Sequence, residues 1–222
     1  RKLIAKKACE GSVVVSDIQT EGRGRKNRIW FSLDGGLWFS VILYPNIPPQ
    51  RSMILTMVAS VSVADSVKEV TGLNPVIKWP NDVLVNNHKI CGILTELDGE
   101  VDKINFAIVG IGLNVNNKLD ASLYGKATTL KKESGDDISR VKLLRAILKN
   151  FDKNYLNVKN GKCEKVRRSW LIYSKLIDRK IRVKEEDVDI VGVVSDIDDT
   201  GSLIVETDDG PCRILNGDVE YV

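Results

Sequence analysis

Residues 76–99 read VIKWPNDVLVNNHKICGILTELDG, and this stretch decides the fold. Val76-Ile77-Lys78 and Val83-Leu84-Val85 are short strand-like runs on either side of Lys78-Trp79-Pro80-Asn81-Asp82. Pro80 restricts Trp79 to extended backbone, and Asn81 and Asp82 are turn formers through side-chain bonds to backbone. Ile90 to Leu97 and Ile104 to Val109 are longer apolar runs. Asp98-Gly99 between them predicts the turn of an antiparallel hairpin. Gly92 inside a strand pattern marks a close approach to the backbone, read here as a ligand's.

Working outward, Val13-Val14-Val15 and Leu37 to Tyr44 predict two more strands, the second closed by Pro45 and Pro48-Pro49. Ser52 to Thr71 predicts a helix. Met53, Met57, Val61, Ala64 and Val67 recur at three and four residues, and Gly72 stops it. Ser139 to Tyr155 predicts a second helix, with Leu143, Leu144, Ile147, Leu148, Phe151 and Tyr155 on one face and Ser139 as cap. Lys162 to Tyr173 predicts a third. Arg1 to Ala8 reads like the middle of an amphipathic helix, so the sequence is expected to lack its native beginning.

From about Asp178 the texture changes. Ile181-Val183, Ile190-Val194, Leu203-Val205 and Arg213-Leu215 are brief strands separated by turn residues such as Asp209-Gly210. That spacing predicts a small β-barrel. The fold class is α+β, with a sheet-and-helix domain over residues 1–177 and an all-β domain over 178–222.

Composition excludes several classes. The 222 residues are 43% hydrophobic and 28% charged, which argues against disorder. A net charge of +3 is too small to draw the whole protein to nucleic acid. The four cysteines, Cys9, Cys91, Cys163 and Cys212, share no metal-ligand spacing, and His88 is the only histidine. Scattered cysteines suit a reducing compartment, and no run is long enough to span a membrane. A cytoplasmic protein is expected.

Chemistry concentrates in two places. Gly22 to Arg28 carries Arg23, Arg25, Lys26 and Arg28 without one apolar residue. Guanidinium forks suit phosphate and carboxylate, and the glycines Gly22 and Gly24 permit close backbone approach. Like charges repel, so the loop is expected to order only around an anion, as a lid. A solvated basic turn and a nucleic-acid contact are the alternatives. The second lacks interleaved aromatics. The other place is Lys78 to Gly92. Lys89 is a compact cation able to bridge two anions. Asp82 is a candidate for magnesium or for orienting an amine. A plain hairpin turn and an ordinary strand-edge lysine are the bland readings. Gly110-Ile111-Gly112-Leu113-Asn114 lacks a dinucleotide fingerprint, and Asn114 is a candidate nucleotide contact through its amide.

Taken in order, Gln19-Thr20-Glu21-Gly22-Arg23-Gly24-Arg25, Trp30, Lys78-Trp79-Pro80-Asn81-Asp82, Lys89-Ile90-Cys91-Gly92-Ile93-Leu94 and Gly112-Leu113-Asn114 resemble the biotin–protein ligases. Ala127-Thr128-Thr129-Leu130 and the β-rich tail fit the same pattern. The resemblance implies a class II aminoacyl-tRNA synthetase-like catalytic domain and an SH3-like C-terminal domain. It implies that biotin and ATP form biotinyl-adenylate, and that a lysine of a biotin carboxyl carrier protein then takes the biotin. Lys89, Arg25 and Asp82 are the implied catalytic residues. Gln19, Gly22, Arg23, Gly24, Arg25, Trp30, Lys89 and Gly92 would meet biotin. Arg23, Arg25, Arg28, Asn81, Asp82 and Asn114 would meet ATP, with magnesium at Asp82. A homodimer and no membrane partner are expected.

Departures from the family pattern are a missing Ser-Thr-Asn segment before residue 1, Asn27 in place of a lid glycine, and no terminal arginine after Gly217. No helix-turn-helix precedes the unit, so no DNA partner is expected. A lipoate–protein ligase and a basic nucleic-acid-binding module are the competing readings.

Overall fold

The computed structural model describes residue 4, residues 7–185 and residues 188–222. The helix expected at the start falls largely outside the described residues. The first unit is a six-stranded antiparallel sheet in the order β1-β2-β6-β5-β4-β3. Its strands are β1 (Val13–Ser16), β2 (Leu37–Leu43), β3 (Val76–Lys78), β4 (Asp82–Val85), β5 (His88–Gly99) and β6 (Ile104–Leu113). Helices α1 (Met53–Thr71), α2 (Leu130–Ser134), α3 (Arg140–Lys159) and α4 (Cys163–Ser174) complete it. α1 packs against β3 to β6 and carries α3 and α4 on its outer side.

Side-chain alternation sets the two faces of the sheet. In β6, Ala107, Val109, Ile111 and Leu113 are buried toward the helices. Ile108, Gly110 and Gly112 therefore point the other way, toward an open cleft. The hairpin between β5 and β6 has the expected direction, but Asp98-Gly99 is not its turn. Asp98 still pairs with Phe106, Gly99 sits at a register shift opposite Ile104, and residues 100–103 make the connection. The Glu100 N–H donates to the Lys103 carbonyl at 2.8 Å.

α1 is buried far beyond its expected stripe. Ile54 to Ala64 is inaccessible throughout, because the helix has the sheet on one side and α3 and α4 on the other. Its buried hydroxyls are satisfied locally. Ser62 donates to the Val58 carbonyl at 2.6 Å and Ser66 to the Ser62 carbonyl at 2.7 Å. Asn154 and Asn150 of α3 then donate to the Ser62 and Ser66 hydroxyl oxygens at 3.0 and 2.9 Å. Tertiary burial thus outweighs the low helix propensity of a β-branched sequence. Ser139 caps α3 as expected, accepting from the Lys142 N–H at 3.3 Å. The short α2, capped by Thr129, carries no periodic signal and is absent from the sequence reading.

The second unit is a five-stranded antiparallel sheet in the order β10-β9-β8-β7-β11. Its strands are β7 (Lys180–Glu185), β8 (Val188–Ile197), β9 (Leu203–Thr207), β10 (Gly210–Ile214) and β11 (Asp218–Tyr221). Val183, Val194, Leu203, Val205, Ile214 and Val219 form its interior. Among the described residues no ladder joins β10 to β11, so the small barrel is open along that seam.

Polar contacts fix this unit to the first. Trp79 donates its indole N–H to the Gly201 carbonyl at 3.1 Å. Arg167 of α4 grips Asp196 through two bonds of 2.9 and 3.0 Å and donates to the Ile197 carbonyl at 2.7 Å. Arg51 pairs with Asp199. Among the described residues no helix is long and apolar enough to cross a membrane.

Two outcomes follow from this packing. Ser62→Ala leaves the buried Asn154 amide without its acceptor and is expected to cost about 1–3 kcal/mol. The loss should appear as a lower denaturation midpoint at unchanged slope, and Ser62→Ala with Asn154→Leu should recover most of it. A single variant matching wild type would contradict the buried bond. The second concerns the β8–β9 corner. Burial raises the Asp198 carboxyl, but bonds from Thr200, Arg213 and the Ser202 and Thr200 amides outweigh it and hold it at about 2. Its folded value is depressed, so its stabilisation is full above the ordinary carboxylate range and fades as pH falls toward 2. Asp198→Asn should flatten the acid limb of a stability–pH profile, and an unchanged limb would refute this.

Candidate active site

Lys89 and Gly92 are three residues apart, yet both face the cleft. A regular strand alternates with period two, so this needs an extra residue. The β4–β5 register supplies it: Leu84 pairs with Lys89 and Val83 with Cys91, leaving Ile90 as a bulge. Ile90 and Cys91 are consequently both buried, and Lys89 is turned onto the same side as Gly92. The bulged backbone is held from behind. Lys89 donates to the Lys126 carbonyl at 3.0 Å, Thr128 donates to the Lys89 carbonyl at 2.9 Å, and Asn114 donates to the Ile90 carbonyl at 2.8 Å.

The Lys89 ammonium lies 2.6 Å from Asp82 Oδ1 and 5.2 Å from the centre of the Trp30 ring. Asp82 opens β4 directly after the Trp79-Pro80-Asn81 turn, whose Trp79–Pro80 peptide is cis. Asn81 is locked in place, donating to the Ile93 carbonyl at 2.8 Å and accepting from Arg25 at 3.2 Å. Asn114 lines the same cleft, with its amide oxygen accepting from Asn117 at 3.2 Å.

The cationic loop is a narrow ribbon. Gln19 pairs with Ser32 and Arg23 with Ile29, the Trp30 N–H donates to the Gly22 carbonyl at 2.9 Å, and the Gly24 N–H donates to the Arg28 carbonyl at 2.8 Å. Gly22 sits at its neck, where a side chain would come 2.2 Å from the Trp30 carbonyl oxygen. At the tip, Lys26 and Asn27 take φ of 53° and 57°. The second is a conformation asparagine tolerates, so Asn27 stands where a glycine would be at home. Gln19 accepts from the Ser32 hydroxyl at 2.6 Å.

The loop's self-repulsion is answered by the small domain, which the sequence reading did not foresee. Arg28 pairs with Asp218, and Arg25 reaches Asn216 at 3.5 Å. Burial lowers the Arg25 guanidinium from its ordinary value while Asp218 and Asp82 act to raise it. Among the described residues the Arg23 guanidinium has no hydrogen-bond or ion-pair partner.

Trp30 is the group that lies against Gly92 in this structure. Gly92 and Gly112 are cross-strand partners, and the Trp30 ring lies over the strip they make. A side chain at Gly92 would meet the ring at 2.9 Å and one at Gly112 would meet its Nε1 at 2.4 Å. The glycines thus make room for an indole of the protein itself. That indole also packs edge-on against Trp38, with ring centres 6.2 Å apart, and its N–H is buried without an acceptor.

These groups surround one cleft of about 840 Å³. Gln19, Arg23, Gly24, Arg25, Arg28, Trp30, Asn81, Asp82, Lys89, Gly92 and Asn114 all line it, with Gly22 just behind at the neck of the loop. Lys78, Lys126, Asp218 and Glu220 line it as well and were missed. Only Lys78 had a signal, its place in the quoted turn. Burial pushes the Cys91 thiol up and so leaves it unreactive beside the lysine. The site is therefore a cleft with an ammonium fixed on a bulge and a ribbon of arginines over it, a set of groups suited to an enzyme that joins anionic groups.

Comparison with known proteins agrees. The family model described as the biotin/lipoate A/B protein ligase family matches residues 3–114, and the biotin protein ligase C-terminal domain matches residues 176–221. The bifunctional ligase/repressor BirA of Bacillus subtilis is 39% identical over 217 residues, covering 96% of this chain and 67% of that protein. A biotin–(acetyl-CoA-carboxylase) ligase of Paracoccus denitrificans is 27% identical over 198 residues, covering 86% of this chain and 82% of its own. The biotin protein ligase of Aquifex aeolicus, solved with biotin and ATP, superposes with a TM-score of 0.84 at 30% identity, over 97% of this chain and 90% of that one. The chain belongs to the biotin/lipoate A/B protein ligase family. Its fold is the expected one, a class II synthetase-like domain followed by a small sheet domain.

The Trp30 placement has a direct check. Gly112→Ala should force the indole off the strip, giving a red-shifted emission and stronger acrylamide quenching than wild type. In a Trp30→Phe background the same change should have no such effect. Identical spectra in the first pair would contradict the packing.

Proposed function

We propose that this chain is an ATP-dependent biotin–protein ligase. The observation that carries the reading is the convergence of Lys89, Arg23 and Arg25 on one cleft. In the first step a biotin carboxylate oxygen attacks the α-phosphorus of ATP, the bond to the β-phosphate oxygen breaks, and pyrophosphate leaves. In the second, a carrier-protein lysine amine attacks the acyl carbon, the carbon–oxygen bond to phosphate breaks, AMP leaves, and the nitrogen loses a proton.

Each residue's task follows from charge. Both steps build negative charge between carboxyl and α-phosphate, and bringing the two anions together is the main obstacle. The Lys89 ammonium, fixed by its bulge, exchanges Asp82 for these two anions and holds them in contact. Arg23 and Arg25 close over the adenylate and keep water off the anhydride. Gln19, the ribbon backbone at Gly22 and Gly24, Trp30 and Gly92 form the biotin side. Trp30 leaves the glycine strip so that the ligand can lie there. Arg28, Asn81 and Asn114 belong to the nucleotide side, with Arg28 acting from the rim.

Among the described residues no group of three metal-ligating side chains exists. Magnesium, which takes one or two carboxylates and otherwise phosphate and water, fits Asp82 on those terms, where it would neutralise phosphate charge. The reading divides the chain at 177/178 and sets the reaction in the cytoplasm, in keeping with four free cysteines. Its protein partner is a biotin carboxyl carrier protein of a carboxylase. The exposed edge strand β1, with Val13, Val14 and Val15, suits pairing with a second copy as a homodimer.

Biotin-dependent exchange of pyrophosphate into ATP tests the reading. Lys89→Ala should lower it by about a hundred- to a thousandfold, the usual effect of removing one such stabilising group. Wild-type exchange in that variant would refute the role. Biotin at a hundredfold above its Kd should stabilise the fold by about 2.7 kcal/mol while lipoate should not, and the reverse order would favour the lipoate branch.

A further inference from the structure

The corner between β10 and β11 meets the arginine ribbon about 190 residues away in sequence. Asn216 Oδ1 accepts from Arg25, and Asp218 Oδ2 accepts from Arg28 at 2.5 Å. The corner is a fixed abutment, because Trp79 to Gly201 and Arg167 to Asp196 tie its domain to the sheet and to α4. Asp218 also lines the cleft. A bare carboxylate there would repel a triphosphate. Glu220, its neighbour in β11, is turned to Lys184 at 3.1 Å, whereas Asp218 is neutralised by the ribbon itself.

We propose that Asp218 is a positioning residue of the ligase reaction. Its carboxylate cancels the Arg28 charge beside the tip of the ribbon, so Arg25, seated on Asn81, and Arg23 are both held over the cleft until the substrate anion arrives. This rests on the function proposed above. The charges confirm the direction of the coupling. Burial raises the Asp218 carboxyl, but Arg28, Lys26 and Arg25 together hold it below the ordinary carboxylate range. The Arg28 guanidinium is raised, first by its bond to Asp218. The pair therefore stays ionised at neutral pH. Asp218 touches no reacting atom in this account and acts only through the arginines.

Asp218→Asn tests this in the full chain. Both partners are about half exposed, so the effect should be modest, about three- to fivefold. Without any ligand, the amides of Gly24 and Trp30 should exchange hydrogen about three- to fivefold faster by mass spectrometry, with the amides of β7 to β9 and the unfolding midpoint unchanged. With biotin and ATP, kcat for pyrophosphate exchange should fall by the same factor while KM for ATP moves less than twofold. Asp218→Glu should restore most of both. The reversed pair, Arg28→Asp with Asp218→Arg, should restore ribbon protection. Wild-type exchange and kcat in Asp218→Asn would overturn the proposal, as would faster exchange spread through β7 to β9, which marks a merely structural role. If the wild type itself shows no biotin-dependent exchange, the functional reading fails, and the ligand-free arm still decides whether Asp218 holds the ribbon.

Discussion

The structure depends on one charge held where strands do not ordinarily hold it. A single extra residue at Ile90 turns Lys89 onto the cleft side of β5, beside Gly92 and 2.6 Å from Asp82. Three backbone bonds from residues 114 and 126–128 keep the bulge from relaxing. A lysine on a flexible stem is a poor bridge between anions, since ordering its side chain costs about 1.5–2 kcal/mol. Here the bulge aims its stem into the cleft, and Asp82 and the Trp30 face hold the ammonium there until the ligand takes their place. The remaining cleft is arranged around that ammonium: a glycine strip beneath, a ribbon of arginines above, and a second domain that steadies the ribbon.

Much of this was legible in the sequence. Strands declared themselves by apolar runs, and the helices α1 and α3 by their spacing. The order of motifs pointed to the family. Where the reading went astray, a tertiary contact outweighed a local signal. Asp98-Gly99 has the chemistry of a hairpin turn, but the ladder continues past it and uses Gly99 where the register shifts. The stripe on α1 predicts one buried face, yet a helix sandwiched between layers has no solvent face along most of its length. Gly92 marks a close approach as expected, and the group against it in this structure is Trp30.

The site residues fared similarly. The cationic loop and Lys89 were visible because unusual residue types cluster there. Asp218 was not, because an aspartate near the end of a β-rich tail has no local signature of function. Its meaning comes from a pairing about 190 residues away in sequence, set by how the two domains abut. The absence of a terminal arginine had left the small domain without an assigned place in the chemistry. The structure gives it one through a carboxylate that restrains cations rather than through a cation of its own.

The most direct test of the central claim is electron density for the chain crystallised with a non-hydrolysable biotinyl-adenylate analogue. The account predicts Lys89 Nζ within hydrogen-bond distance of both the carboxyl-derived oxygen and the phosphate, released from Asp82, with Arg23 and Arg25 folded over the ligand. A ligand seated away from Lys89, with the ammonium still on Asp82 and the arginines turned elsewhere, would contradict it.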